Sequence, residues 1–203
     1  MNIHSLVSRS GTKIDDKKEA VLEAALELFA ERGFHGTAVP AIADKAQVAA
    51  GTIYRYFESK EALVNALYAR YKGALGACIL SEFPFGEEPR TQFRHFFRRV
   101  MTFAKKEPLA FKFLEGHHHQ SYLDEESRQA ETRVLEPARM FFAETERLKV
   151  TRKAQAEVLG AIVWGGLVGL VRASWEGRLE LDAKAVEHAE EALWDAIARP
   201  DAK

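Results

Sequence analysis

The sequence predicts an all-α chain of about nine helices, and three observations carry that expectation. Apolar residues recur at three- and four-residue spacing along most of the 203 positions. No segment alternates convincingly as a strand. The first four helical segments follow one another across gaps of a few residues, which leaves no room for a sheet.

Residues 15–32 place Ala20, Val21, Ala24, Ala25, Leu28 and Phe29 on one helical face, with charges on the other. Gly33 is positioned to stop that helix, because glycine accepts the left-handed conformation past a helix end, and Phe34 can fold back onto the last turn. The run from Thr37 to about Ala46 predicts a short helix. Thr37 or its neighbour lies at the cap, and Pro40 falls in a first turn whose amides have no helical partner. A third short helix covers residues 49–56, and Ser59 is a good cap for a fourth running from Lys60 toward Leu80. Pro84, Gly86 and Pro89 break the pattern and mark a junction. Residues 91–106 then form a helix rich in Phe and Arg, and Pro108 starts a short one ending near Gly116. Ser121 is placed to cap a long helix over residues 122–149, in which Pro137 predicts a kink because it removes an amide donor and clashes with the preceding turn. Residues 151–175 make the most apolar helix. The last spans residues 182–198, with a stripe of Ala185, Ala189, Ala192, Leu193 and Ile197.

Composition narrows the class without naming a function. With 47% hydrophobic residues and six prolines, the chain reads as globular rather than disordered. Its 29 basic and 30 acidic side chains give a net charge of −1. Residues 1–72 carry ten basic and nine acidic groups and the remainder 19 and 21, an asymmetry too weak to argue for nucleic acid. The single cysteine, Cys78, excludes an intrachain disulfide and a multi-cysteine metal site; a buried thiol is its simple reading and a redox sensor the alternative. The first residues lack the apolar core of a secretory signal, so a cytoplasmic location is expected. The longest apolar run, residues 158–171, is shorter than the roughly 20 residues that span a bilayer. It is expected to be a buried helix, and no membrane partner is expected. No glycine-rich phosphate loop occurs, Cys78 has no base in view, and the carboxylates fall on solvated helical faces. Neither catalysis nor a cofactor is expected.

Two helices of about eight residues joined by Ala46, Gln47 and Val48 have the proportions of a nucleic-acid reader, in which one helix braces another that enters a major groove about 12 Å wide. The second helix begins Ala49-Ala50-Gly51-Thr52-Ile53-Tyr54-Arg55-Tyr56. Small residues at its start allow close approach to the groove wall. Thr52 offers a hydroxyl and a methyl, Tyr54 reaches a phosphate or an apolar base edge, and Arg55 suits guanine or phosphate. Ile42, Ala43, Ala46, Val48, Ile53 and Phe57 fit the unit's internal core.

The segment from Ala20 to Leu67, above all IADKAQVAAGTIYRYFESKEAL, resembles the DNA-binding domain of the TetR family of bacterial regulators. The matching positions are Ile42, Ala43, Gly51, Thr52, Tyr54, Tyr56, Phe57, Lys60 and Leu63. The resemblance implies that Thr52 and Tyr54 lie at the DNA backbone or groove, that Tyr56 buttresses a phosphate contact, and that Lys60 meets a phosphate at the start of the fourth helix. With Thr37, Ala50, Gly51 and Arg55, these are the expected DNA-binding residues. Lys60→Ala is then expected to weaken all duplexes alike and Arg55→Ala to change sequence preference. Arg9, Lys13, Lys17 and Lys18 form a basic arm, either solvated or reaching phosphate and minor groove. The chain departs from the family where Gln47 replaces the turn glycine and Ala49 a capping serine. These departures cost about 1 kcal/mol and roughly 0.5–2 kcal/mol.

The resemblance divides the chain into a flexible arm (1–14), a helix-turn-helix region with its connecting helix (15–80), and a ligand-sensing and dimerisation domain (81–203). It implies a homodimer that binds a palindromic double-stranded operator, most simply a repressor released by a small apolar effector; a ligand-independent dimeric DNA binder or adaptor is the alternative. The last two helices are the expected interface. Gly160, Gly165, Gly166 and Gly169 permit close helix contact, and Trp164, Leu193 and Trp194 belong to interface or core. Aromatics crowd the middle helices: Phe93, Phe96, Phe97, Phe103, Phe111, Phe113, Tyr122, Phe141 and Phe142. They either fill a solid core or line an apolar effector pocket. The expected lining residues are Met101, Phe111, Leu114, His118, Met140 and Trp164. For His117-His118-His119 three readings stand: a solvated helix terminus, a pocket hydrogen bond or pH-sensitive contact, and a metal site, for which no cysteine or carboxylate partner is firmly placed.

Overall fold

The computed structural model describes residues 13–116, 119 and 121–200. Nine α-helices make up the described residues: α1 (Lys13–Arg32), α2 (Val39–Lys45), α3 (Ala50–Tyr54), α4 (Lys60–Leu80), α5 (Pro89–Lys106), α6 (Pro108–Gly116), α7 (Glu125–Arg147), α8 (Ala156–Trp175) and α9 (Ala183–Ile197). The all-α expectation holds, with helix ends set by local chemistry. Gly33 closes α1 at φ 69°. Ser59 caps α4 by accepting the Ala62 amide at 3.0 Å, and Asp182 caps α9 by accepting that of Ala185 at 2.7 Å.

Two boundaries differ from the sequence reading. Asp124, not Ser121, caps α7, accepting the Ser127 amide at 2.8 Å. Helix α7 continues through Pro137, which lies on its exposed face. Helix α8 begins at Ala156 rather than Thr151, because residues 150–152 pair with the end of α9: Arg152 donates to the Ile197 carbonyl at 2.8 Å and Arg199 to that of Val150 at 2.9 Å. Thr151 is buried there and its hydroxyl donates to that of Thr145 at 3.0 Å.

A single hydrophobic core runs from Val21 in α1 to Ile197 in α9. Phe29, Ile53, Leu67, Phe97, Phe111 and Leu167 are sealed in it, each stabilising the fold by roughly 1.5–3 kcal/mol. Helix α4 is the spine, packing on α1, α5, α6 and α7, and α6 also lies against α1, where Phe29 and Phe113 sit 6.3 Å apart. Among the α8 residues, only Leu159, Val163, Leu167 and Val171 are buried. At four-residue spacing they form one inward stripe, so the protomer by itself covers one face of the helix, and Val158, Ala161, Ile162, Gly165 and Gly169 face outward. By length and composition α8 is the one helix among the described residues that could cross a bilayer.

Candidate nucleic-acid interface

Helix α2 starts without a side-chain cap, since Ala38 rather than Thr37 is its N-cap, and Pro40 occupies its first turn. The turn into α3 passes through Gln47 at φ 55°, the left-handed conformation for which glycine is favoured. It holds because the Val48 amide donates to the Ala43 carbonyl at 3.0 Å and the Gln47 amide to Asp44 at 3.1 Å. Ala49 supplies an extended N-cap for α3 with no side-chain bond. Burial does the rest: Ile42, Ala43, Ile53 and Phe57 are all buried, with Ala46 and Val48 half-buried against them, as their expected core role requires.

With Ile53 turned inward, the opposite face of α3 is presented to solvent. Ala50, Gly51, Tyr54 and Arg55 are exposed and Thr52 is half-buried. Tyr54 is 54% exposed, a large apolar surface left in water on a well-braced helix. A Cβ placed on Gly51 would meet nothing within 4 Å, so the protomer itself gives no packing reason for glycine there. Tyr56 is half-buried against the core. Lys17 and Lys18 are exposed on α1, Lys18 with its ammonium 5.8 Å from the Phe57 ring centre. Arg9 lies outside the described residues.

Two of the expected DNA-binding residues have partners inside the protomer. Thr37 is 2% exposed, and its hydroxyl donates to the carbonyls of Gly33 (2.8 Å) and Leu28 (3.1 Å), so its side chain locks the α1–α2 connection instead of facing outward. The Lys60 ammonium turns into the protein. It donates to the carbonyls of Phe34 (2.9 Å) and Thr37 (3.0 Å) and lies 4.1 Å from the centre of the Phe34 ring. Two charge-assisted bonds and a cation–π contact fasten α4 to that same connection.

Sequence reasoning missed what lies behind this fastening. Phe34 stacks on Tyr122 at 4.3 Å, and the Tyr122 hydroxyl is hydrogen-bonded to Nδ1 of His119 at 2.7 Å. The Nε2 of His119 donates to the Phe113 carbonyl at 2.6 Å. Burial pushes the Tyr122 phenol up to about 12. Asn65 on α4 donates to the Tyr122 carbonyl (2.8 Å) and accepts the Asp124 amide (3.0 Å). The signal was an asparagine within the buried stripe of α4, flanked by Val64 and Leu67. Of the three histidines His119 is thus a buried structural residue; His117 and His118 lie outside the described residues. Among those described, no cluster of three metal-ligating side chains occurs.

Of the expected pocket residues, Phe111 and Trp164 come together in the interior and Met140 does not. Phe111 is fully buried, its ring 6.3 Å from Trp164 and 6.0 Å from Trp175, and Leu114 is buried too. Met101 is half-buried. Met140 is 66% exposed on the outer face of α7, which removes it from any lining, because its neighbour Phe142 takes the inward position. His118 lies outside the described residues. A shallow cleft between α5 and α9 is lined by Arg98, Ala183, Val186, Glu187 and Glu190, too charged to be the apolar cavity anticipated. Trp194 and Leu193 lean on their own protomer, Trp194 against Phe93 at 5.2 Å and Leu193 against Gly166, where a Cβ would come within 2.5 Å. Gly165 and Gly169 have open space before them. Cys78 is half-buried, its thiol 3.5 Å from the Arg99 carbonyl.

Comparison with known proteins agrees with this architecture. Residues 21–67 match the family model for bacterial regulatory proteins of the tetR family, and residues 73–199 match that for the tetracyclin repressor-like C-terminal domain. A TetR family transcription regulator from Marinobacter aquaeolei VT8 superposes with a TM-score of 0.79 at 24% identity, over 91% of this chain and 96% of that one. A TetR family protein from Vibrio parahaemolyticus does so with a TM-score of 0.71 at 27% identity, over 90% and 99%. The HTH-type transcriptional regulator YuxN of Bacillus subtilis is 37% identical over 79 residues, which make up 39% of this chain and 27% of that protein. The chain therefore spans less than a third of the length of the curated relatives it first matches. Two family models that together cover nearly all of α1 to α9 decide the matter: the chain belongs to the TetR family of DNA-binding transcriptional regulators.

Proposed function

We propose that the chain acts as a homodimeric repressor of a palindromic operator and that a small effector releases it. The observation that carries this reading is the outward face of α3, where Gly51, Tyr54 and Arg55 stand exposed on a helix braced through Ile53. Thr52 and Tyr54 make backbone or groove contacts, Arg55 reads a base edge or a phosphate, Ala50 and Gly51 let the helix approach closely, and Tyr56 supports from behind. One such helix reads few base pairs, so two copies about 34–36 Å apart are needed for a specific site.

The outward stripe of α8 supports the pairing. Val158 and Ile162 are 47% and 43% exposed, and Gly165 and Gly169 leave room for a second helix to come to about 8–10 Å. Packing α8 and α9 against their copies removes this apolar face from water. On this reading residues 15–80 form the reader and 81–203 the sensing and pairing part. They share one core, so a ligand that favours a different arrangement of α4 and α6 changes the spacing of the two α3 helices.

Selection of bound duplexes from a random pool, followed by a compound screen for release, tests the proposal. Recovery of palindromes and of releasing compounds is expected. Palindromes with no releasing compound would favour the ligand-independent binder, for which the tight burial of Phe111 and Leu114 speaks.

A further inference from the structure

We propose that the effector is a neutral, ring-bearing molecule with a hydroxyl group, and that this hydroxyl bridges Lys72 of α4 and Glu115 of α6 beside Trp164 of α8. The inference rests on the reading of the chain as ligand-responsive and specifies the chemistry of that response.

Lys72 occupies the inward stripe of α4, one turn beyond Tyr68, where an apolar residue would be ordinary. Its side chain is only 9% exposed and that of Glu115 only 13%. Their closest charged atoms, Nζ and Oε1, stand 3.7 Å apart, close enough for attraction and too far for a hydrogen bond. Oε1 of Glu115 is buried without a hydrogen-bond donor, while Oε2 accepts the Trp164 indole N–H at 2.8 Å. Around the ammonium lie two aromatic rings, Tyr68 at 5.8 Å and Trp164 at 5.9 Å. Oε1 of Glu115 is thus a buried acceptor that receives the charge of Lys72 but no hydrogen bond, an expensive arrangement inside a core.

Three ligand chemistries can be weighed against this geometry. A hydrocarbon would leave both groups as they are. A carboxylate would add a second negative charge a few ångströms from Glu115, where the pair is already neutral and the local dielectric is low. A hydroxyl donates and accepts at one oxygen. An oxygen about 2.8 Å from each of these two atoms, themselves 3.7 Å apart, would accept from Lys72 and donate to Glu115. The ring follows from the row of Trp164, Phe111 and Trp175, spaced 6.3 and 6.0 Å, which offers aromatic edges and faces to an apolar body. The same three helices join sensor to reader. Helix α4 begins at Lys60, which grips the α1–α2 connection, and α6 presses Phe113 onto Phe29 of α1.

The test uses the intact dimer and four probes: 4-propylphenol, its methyl ether, 4-propylbenzoate and propylbenzene. Calorimetry and tryptophan emission should show the phenol binding about ten- to a hundredfold more tightly than the other three, the worth of hydrogen bonds to charged groups. It should also lower affinity for the selected duplex. Glu115→Gln, which keeps shape and removes the charge, should collapse the preference with little change in thermal melting. Lys72→Met should do the same if it folds, and the wild-type series decides if it does not. Equal binding of the ether, the hydrocarbon or the benzoate would overturn the proposal, as would a preference that survives Glu115→Gln, a phenol that does not bind up to its solubility, or binding that leaves DNA affinity unchanged. Releasing compounds of another chemistry in the library screen would refute this site while leaving the ligand-responsive reading standing.

Discussion

Replacing Gly51 with alanine separates what the fold requires from what a duplex requires. Gly51 lies in the first turn of α3 with ordinary negative φ, and a methyl group there meets nothing within 4 Å. Glycine in a helix costs about 0.5–1 kcal/mol relative to alanine, through backbone entropy and lost propensity. Near a helix end the lower figure applies. Gly51→Ala should therefore stabilise the protein by about 0.5 kcal/mol, a rise in Tm of about 1–2 °C for a chain of this size. The added methyl points from the face that carries Tyr54 and Arg55, where it would hold the helix away from groove wall or phosphate. Loss of one close contact of this kind weakens binding about tenfold, a cost of about 1.4 kcal/mol. Thermal melting and fluorescence anisotropy on the selected duplex measure the two effects on one preparation. A lower Tm would mean that the glycine serves the fold. Unchanged DNA affinity would mean that this face does not approach the duplex, and the reasoning from open space would fail.

Other perturbations test the remaining parts. Ile162→Arg, placed on the outward stripe of α8, should convert dimers to monomers in sedimentation while leaving helical content intact; a persistent dimer would locate the interface elsewhere. Lys60→Met should cost about 1–3 kcal/mol in urea denaturation, because it strands the Thr37 carbonyl and leaves that of Phe34 only the Thr37 amide at 3.4 Å, and should leave sequence preference unchanged. Wild-type stability with uniformly weaker DNA binding would restore its direct phosphate role. Arg90→Met should destabilise by about 3–5 kcal/mol, since it leaves the buried Glu190 carboxylate with only the longer Arg94 contact at 3.5 Å; a near-neutral effect in the same denaturation would show that Glu190 is not held there. Tyr122 titrates near 12 in the folded protein against about 10 unfolded, so the stability it gives is complete below pH 10 and is lost as pH rises toward 12. Tyr122→Phe should flatten the fall in stability between those values, with burial of Tyr68 contributing in the same direction and retained; an unaltered slope would contradict the assignment.

The helices were legible because their periods are long and their stops explicit: Gly33, Ser59 and Asp182 end or cap where local chemistry dictates. The core of the α2–α3 unit was legible for the same reason, since Ile42, Ile53 and Phe57 have only one inward direction available. Errors arose where the outcome depends on distant chain. The start of α8 depends on residues 150–152 finding the end of α9. Lys60 and Thr37 match a DNA-facing pattern or lie beside one, yet each finds backbone carbonyls within reach once α1, α2 and α4 assemble. Met140 and Phe142 are two residues apart, and the pattern of α7 could not say which turns inward. The Lys72–Glu115 pair joins positions 43 apart in sequence, a proximity no helical period encodes.

The central claim is that the outward face of α3 contacts DNA. Measuring the affinity of a Tyr54→Ala, Arg55→Ala double variant for the duplex selected by the wild type tests it most directly, with thermal melting on the same sample. Both side chains are exposed, so folding should be retained while specific affinity falls about thirtyfold or more, from two contacts worth about 1–3 kcal/mol each. A folded double variant that binds the selected duplex as tightly as the parent would contradict the account.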